Sequence, residues 1–379
     1  MRILLMSDTH FGFAAGTERE QDAFLAFEEG IQAGLQEDAI LLGGDIFDNP
    51  HPSTDSLGRV MASLVRPLLA PSPARVEGIG KEITNHRSGI PVVAIAGNHE
   101  RRPKGLMNPV QALEAGGLLI HLHGTGVLLR KGQEKVAIQG LSSIPEHYVK
   151  DALAQWNPQP LPGAYNIFIV HQNLDGFIFS PKAVPRELLP QGFDLYLCGD
   201  IHESHRSQVH GKPLILPGST VATQLKQDAT TPRTYCLIDT ASGEVSFHPF
   251  RNQRAIHYQA VPSAAAAEQA LQGILAEPHP LKPIIKLVCP EDLSALEARF
   301  RDQALLAFTQ EREIPALSIA QQARSAQESG RDLLGKALLE AGLDPRLFLE
   351  LFELLLERQG DAVLAKLRAA PLAAPAGPP

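Results

Sequence analysis

The chain has 379 residues, 44% of them hydrophobic and 20% charged, an ordinary balance for a globular protein of two to three domains. Thirty-four Lys and Arg against 42 Asp and Glu leave a net charge of −8, which argues against a protein that holds nucleic acid by bulk charge. No apolar run approaches the roughly 20 residues of a membrane span, and Met1 to Met6 is too short for a signal-peptide core. The three cysteines (Cys198, Cys236 and Cys289) lie far apart in apolar runs. They read as buried thiols of a reduced, cytoplasmic protein with no membrane partner.

In chain order, RILLMS reads as a buried strand and ends at Asp8-Thr9-His10. Glu18–Leu35 follows, with Phe24, Phe27, Ile31 and Leu35 at helical spacing. A second buried run, AILLGG, ends at Asp45-Ile46-Phe47-Asp48, and Thr54–Leu69 reads as a helix stopped by Pro71 and Pro73. Residues 71–90 look like an irregular polar excursion that lines a substrate groove. PVVAIAG then leads to Asn98-His99-Glu100, NIFIV to His171, LYLCG to Asp200-Ile201-His202, and LIL to Pro217-Gly218-Ser219. Gly126–Arg130, Lys135–Leu141, Thr234–Asp239 and Glu244–Phe250 read as further strands, several of them half-buried by their alternation.

From about residue 254 the texture changes. Ala255–Val261 and Pro283–Val288 read as strands, and Ser263–Ala276 and Glu291–Leu306 as helices, a small β-α-β-α unit. Beyond Ile314 the pattern is helical, with a helix-turn-helix over Arg331–Ala341 and Arg346–Arg358. The second of these helices is apolar on too many sides for a solvated surface, so it is buried or docks on a partner. Ala369–Pro379 is Ala/Pro-rich, the composition of a disordered tail.

Open α/β sheets present ligand sites at the carboxyl ends of their strands, so the runs set Asp, His and Asn side chains along one sheet edge. Such a mixture of oxygen and imidazole ligands suits Mn²⁺, Zn²⁺ or Fe²⁺, with enough ligands for two ions. Any one of these residues alone reads as structural; five segments in order form a joint signal. Two ions about 4 Å apart would bridge a hydroxide and stabilise in-line displacement at phosphorus. His99, beside Asn98, is the natural general acid for the leaving oxygen. Arg101, Arg102 and Lys104 after that segment, and Arg206 after His202, supply local positive charge that the net charge conceals.

These segments resemble the calcineurin-like metallophosphoesterase superfamily, whose pattern runs D-x-H, G-D-x-x-D, G-N-H-E/D, H, G-H-x-H. Within it the chain is most similar to the SbcD-like and meiotic-recombination-type repair nucleases. Phe11-Gly12 after His10, Asn49-Pro50-His51-Pro52-Ser53 after Asp48, and Pro217-Gly218-Ser219 carry that finer likeness. It covers about residues 1–250; the small domain and helical tail match in order and size. The resemblance implies a four-layer αββα sandwich over 1–252, a small α/β capping domain over 253–312, a helical partner-binding segment over 313–368 and a disordered tail over 369–379. It implies one ion on Asp8, His10, Asp45 and His202, and another on Asp45, Asn98, His171 and Asp200. Mn²⁺ is the implied metal, with Mg²⁺, Fe²⁺ or Zn²⁺ as alternatives.

Two positions depart from the pattern. Asp200 stands where the family generally has histidine, which shifts metal preference away from softer ions or weakens the second site. Asp48 favours the bacterial type of chain over the archaeal and eukaryotic ones. Asp48, Arg101, Arg102 and Arg206 are the candidate substrate contacts. The implied function is a DNA-end exonuclease and endonuclease in double-strand-break repair, acting as a homodimer with an SbcC-type coiled-coil ATPase. The alternatives are a small-molecule or protein phosphoesterase, and an ATPase-binding scaffold impaired by Asp200. Other signals read as structural: His121-x-His123 as packing, His205 and His210 as rim residues, and Cys198 as a strand residue. Gly330-x-x-x-x-Gly335-Lys336 reads as helix, since Ala337 replaces the Mg²⁺-binding hydroxyl of a P-loop.

Overall fold

A computed structural model of the chain describes residues 1–83, 89–177, 180, 182–310, and the single positions 347, 350 and 366. The chain divides into two compact units, Met1–Gln310 and Glu311–Pro379. The helical segment at 313–368, the P-loop-like stretch and the tail lie outside the described residues, apart from those three positions.

The first unit is built on two large sheets. One contains β1 (Arg2–Met6), β2 (Ala39–Leu42), β4 (Val92–Ala94), β5 (Ile120–His121), β12 (Thr234–Asp239) and β13 (Glu244–Pro249), in the order β13-β12-β1-β2-β4-β5. The other contains β3 (Arg75–Ile79), β6 (Thr125–Lys131), β7 (Glu134–Leu141), β8 (Tyr165–His171), β9 (Leu195–Gly199), β10 (His205–Val209) and β11 (Lys212–Leu216). Its order is β10-β11-β9-β8-β7-β6-β3. The central neighbours β1, β2, β4 and β7, β8, β9 pair in parallel, so their carboxyl ends point the same way within each sheet.

Period-two alternation explains the layering. In β1, Ile3 and Leu5 face a core shared with Ile138, Ile167, Ile169 and Leu197 of the opposite sheet. Leu4 and Met6 face the other way, onto Phe24, Phe27 and Ile31 of α1 (Glu20–Gly34) and Val60 and Leu64 of α2 (Thr54–Leu69). On the far side of the second sheet, Phe168, Val170 and Tyr196 pack with Val149 and Leu153 of α4 (Val149–Trp156). The layers are therefore α, β, β, α, and α3 (Pro109–Ala115) adds Val110 and Leu113 to the first helical layer.

A third sheet follows, with parallel strands β14 (Ile256–Ala260), β15 (Ile284–Cys289) and β16 (Leu305–Gln310). α5 (Ala264–Leu275) and α6 (Ser294–Phe300) supply Leu271, Leu296 and Phe300 to its own small core.

Two sequence expectations need correction here. The predicted helix over Glu291–Leu306 is only the seven residues of α6, and the chain then returns as β16, pairing Ile284 with Leu305 through Cys289 with Gln310. The Ala, Leu and Phe of that stretch suit either element, and an open edge of β15 decided between them. The excursion at 71–90 contains β3, which pairs antiparallel with β6 as an edge strand. Its polar, largely exposed residues hid it from a search for buried runs.

Candidate metal centre

The ligand candidates do not line the edge of one sheet, as the sequence implied. Asp8, His10, Asp45, Asn98 and His99 follow strands of the first sheet, while His171, Asp200 and His202 end or follow strands of the second. The cluster lies where the two sheets present their carboxyl ends together. Sharp backbone turns make this possible. Asp8 (φ 53°), His10 (φ 48°), Asp45 (φ 46°) and Asp200 (φ 83°) all occupy the left-handed region, which costs an L-residue about 1–3 kcal/mol. The close approach of the turns also excludes side chains at two glycines. A Cβ on Gly97 would lie 2.0 Å from Asp45 Oδ1, and one on Gly199 would lie 2.4 Å from the Gly43 carbonyl oxygen.

Three groups of potential ligand atoms converge: Asp8, His10 and His202; Asp8, Asp45 and His171; and His10, Asp48 and His99. His10 Nε2 lies 3.1 Å from His202 Nε2. His202 Nε2 is 3.8 Å from Asp8 Oδ1, and His171 Nε2 is 3.9 Å from that same oxygen. His171 Nε2 is also 3.3 Å from Asp45 Oδ2, 3.2 Å from Asn98 Oδ1 and 3.7 Å from Asp200 Oδ1. Asp200 is in none of the three groups, but its Oδ1 lies within 3.7 Å of His171 Nε2 at the edge of the second.

The donor chemistry fits a divalent cation. Each imidazole has an acceptor for its other ring nitrogen. Nδ1–H of His10 donates to Asp48 Oδ1 at 3.1 Å and that of His171 to the Gly43 carbonyl at 2.8 Å, and His202 Nδ1 shares a hydrogen bond with Thr223 Oγ1 at 2.9 Å, a hydroxyl able to accept its N–H. All three Nε2 atoms then face the carboxylates, where a cation would take their lone pairs in place of protons, the arrangement of metal-ligating histidines. Asn98 fits the same logic. Hydrogen bonding alone would turn its amide to donate to Asp45 at 2.8–3.2 Å and to His171; a cation would take its Oδ1.

The titration behaviour has the same origin. Burial pushes Asp8 up to about 6, although His171 opposes it. Burial would also raise Asp45, but His171, His10 and His99 outweigh it and hold that carboxyl well below the ordinary range. His171 rises well above its usual value, against burial, because Asp45, Asp8 and Asp200 surround it. His202 falls to about 3 through burial and repulsion from His10. The buried carboxylates require positive charge among them.

His99 is placed differently. Its Nδ1–H donates to the Asp48 carbonyl at 2.7 Å and its backbone N–H to Asp45 Oδ1 at 2.9 Å. Its ring is partly exposed and stands edge-on to His10 at 4.8 Å, with Nε2 3.9 Å from Asp45 Oδ2. It lines a cleft of about 260 Å³ with Asp45, Asn98, Asp200, His202, Lys226 and Arg233.

The remaining candidates scatter. Asp48 orients His10. Arg101 donates to Ser143 and Ile144, and Arg102 to Pro50 and His51; both line a neighbouring cleft of about 530 Å³ that reaches Gly97. Arg206 donates to the Val245 carbonyl and lies over the Phe247 ring, tying β10 to β13. His121 is buried against Ser142, and Cys198 is a buried strand residue. Sequence reading missed Ser7, which donates to Asp8, together with Thr223, Lys226 and Arg233. None of these carried a motif. Glu100 was visible in its run, yet its role was not: fully buried, it accepts Phe47 N–H at 2.8 Å and Gly97 N–H at 2.7 Å, joining the loops after β2 and β4.

Carboxylates, imidazoles and an amide gathered at the strand ends of an αββα sandwich define a metal-dependent phosphoesterase. Residues 1–204 match the family Calcineurin-like phosphoesterase, and the chain belongs to that family, which uses a dinuclear metal site. The double-strand break repair protein MRE11 of Arabidopsis thaliana is 29% identical over 63% of this chain and 39% of its own length. The double-strand break repair protein mre-11 of Caenorhabditis elegans is 26% identical over 82% of this chain and 49% of its own. The chain thus spans less than half of each of these relatives. Among solved structures, an archaeal phosphodiesterase aligns over 66% of this chain and 99% of its own, at 14% identity and a TM-score of 0.31.

Proposed function

We propose that the chain is a two-metal DNA phosphodiesterase that processes DNA ends in double-strand-break repair. The observation that supports it best is the set of Nε2 atoms of His10, His171 and His202 converging with Asp8 and Asp45 beside a cleft that also holds Lys226 and Arg233. The resemblance to repair proteins selects DNA among phosphodiesters.

Asp8, His10, Asp45 and His202 would hold one ion, and Asp45, Asn98, His171 and Asp200 the other. Bound divalent ions, Mn²⁺ by preference, supply the charge that binds and polarises the phosphodiester. His99, its Nδ1–H fixed on the Asp48 carbonyl, delivers a proton from Nε2 to the leaving oxygen. Asp48 holds His10 in the tautomer that exposes Nε2. Lys226, Arg233, Arg101 and Arg102 meet flanking phosphates, whereas the contacts of Arg206 make it a strut between the sheets.

The partner reading has two parts. The exposed α2 residues Met61, Val65 and Leu69 recur every fourth position and suit a homodimer contact. The 313–368 segment docks on an SbcC-type ATPase; co-elution with the coiled-coil base of such an ATPase, lost on truncation at 312, would support this, and co-elution unaffected by truncation would refute it.

The test of activity is cleavage of end-labelled linear duplex DNA with Mn²⁺, Mg²⁺ or chelator, by the wild-type chain and His99→Ala. Mn²⁺-dependent shortening that the substitution abolishes is expected. No cleavage with two ions bound would overturn the nuclease reading in favour of another phosphoester substrate or an obligatory ATPase. No cleavage with fewer than two ions bound would favour the scaffold.

A further inference from the structure

The neighbouring cleft of about 530 Å³ starts at the metal centre. Ala96 and Gly97, the residues before Asn98, line it, and Gly97 packs directly against Asp45. Segments 101–106 and 142–145, with Asn108, Gln111, His121 and His123, complete the lining. Ser142 ties these segments together. Its Oγ accepts Ala96 N–H and His121 Nε2–H, both at 2.9 Å, and donates to the Leu122 carbonyl at 2.7 Å. Ser142 also follows Leu141, whose strand partner Val170 precedes His171, so the tie sits one step from a proposed metal ligand.

The arginines of this cleft are engaged. Arg101 donates to Ser143 and Ile144, and its charge acts on Asp200; Arg102 donates to Pro50 and His51. The uncharged part of the lining says more. Packing accounts for His121, which is buried, but not for His123, which is exposed. The two rings lie parallel, with an interplanar angle of 5° and centroids 6.4 Å apart. Burial lowers the pKa of both, that of His121 to about 4, so both rings are neutral at pH 7. A flat, uncharged ring is a stacking surface rather than a phosphate ligand, and Leu106, Ile144 and Pro145 add apolar surface to the same lining. The volume also lies within the range of about 300–1,000 Å³ found for small-ligand sites.

We propose that this cleft receives one unpaired nucleobase next to the scissile phosphate, stacked on His123 and lying against Ile144 and Pro145. Resting on the DNA reading above, it narrows the substrate to strand ends whose terminal nucleotide can leave the duplex. Every base has a π-face, so a stacking site of this kind would not select sequence. A duplex end would have to open by one pair before its phosphate reaches the ions, which costs less where the end is mismatched.

The test is steady-state release of the terminal nucleotide by the full chain with Mn²⁺. One substrate is a duplex with mismatched, unpaired terminal nucleotides, and the other is the same duplex with abasic residues at those positions. The abasic substrate should have a KM about tenfold higher, the scale of one lost stacking contact. His123→Ala should raise KM on the intact substrate by about the same factor, with a smaller change in kcat, and His123→Phe, which keeps a flat ring, should restore it. The two losses should not add: His123→Ala on the abasic substrate should match either change alone. Equal KM values for wild type and His123→Ala on the intact substrate, or losses that multiply, would overturn the stacking site and leave the DNA reading standing. A wild-type chain that hydrolyses bis(p-nitrophenyl) phosphate but not the DNA would overturn the DNA reading and the stacking site with it.

Discussion

His10 and His202 point their Nε2 atoms at each other across 3.1 Å, while His10 gives its Nδ1–H to Asp48 and His202 Nδ1 shares a hydrogen bond with Thr223 Oγ1. A single proton makes that contact a hydrogen bond, with His10, whose pKa is raised, as donor and His202, whose pKa is lowered, as acceptor; a cation taking both nitrogens would displace that proton. Metal binding should therefore stabilise the fold, by about 2.7 kcal/mol for each ion present at a hundredfold excess over its Kd. Chelation should lower the melting temperature by several degrees (about 4 °C or more). The wild-type chain should carry two ions by elemental analysis, and His202→Ala about one. Equal melting temperatures with and without chelator would refute the metal reading.

Asp200 stands where a histidine is usual and keeps its Oδ1 3.7 Å from His171 Nε2. Its backbone N–H also donates to Asp8 Oδ1 at 3.1 Å, so the turn is shared by both proposed ion positions. A carboxylate favours harder ions than an imidazole does. Asp200→His should raise the preference for Zn²⁺ over Mn²⁺ by about tenfold, the scale on which changes around a metal site act. Competition between the two ions, read by elemental analysis, measures it. A ratio that does not move would remove Asp200 from the ligand set.

Glu100 is a structural hinge-pin beneath the site. Burial, then repulsion from Asp45, pushes its pKa up to about 7, yet both carboxyl oxygens accept backbone N–H groups. Glu100→Ala would leave the buried N–H groups of Phe47 and Gly97 without acceptors, at about 2–4 kcal/mol in all. Glu100→Gln, which keeps one acceptor, should cost about half as much. Urea denaturation provides the comparison; a loss in the alanine variant under about 0.5 kcal/mol would mean that water reaches those groups.

Much of the site was legible because parallel strands buried on both faces read as unbroken apolar runs, and their ends are where polar residues gather. Asp8, Asp45, Asn98, His171 and His202 stood out for that reason. What periodicity could not reveal was that two sheets share the site, since pairing across β7, β8 and β9 depends on contacts distant in sequence. The left-handed backbone at Asp8, His10, Asp45 and Asp200 was equally hidden, because tertiary packing rather than local preference imposes it. Lys226 and Arg233 reach the cleft from a segment with no motif, so only the fold brings them there.

His121 offers a pH-dependent test remote from the ligands. Burial lowers its pKa to about 4, while Nε2–H donates to Ser142 Oγ. An unfolded chain protonates the same side chain near 6.5. The native state therefore resists a proton that the unfolded state accepts. Stability from this residue is fully present above pH 6.5 and is lost as the pH falls towards 4, on the order of 3 kcal/mol across that window. Subtracting the denaturation profile of His121→Asn from that of the wild type should expose this slope. Parallel profiles between pH 6.5 and 4 would show that His121 is protonated in the fold.

The outer face of α2 provides the last test. Met61 is 39% exposed, Val65 37% and Leu69 77%, and a four-residue spacing stacks them into one stripe along the helix. Large apolar side chains so arranged gain most when a second apolar surface covers them, and a second copy of the helix supplies one through a two-fold contact. The wild-type chain should therefore have the mass of a dimer in light scattering and dissociate on dilution. Val65→Glu places a charge at the centre of the stripe on both copies at once, where like charges would face each other without water. It should give a monomer with an unchanged melting profile at low concentration, because Val65 is partly exposed in the single chain. A wild-type chain that stays monomeric across the concentration series, or a Val65→Glu variant that remains a dimer, would assign the stripe to some other contact.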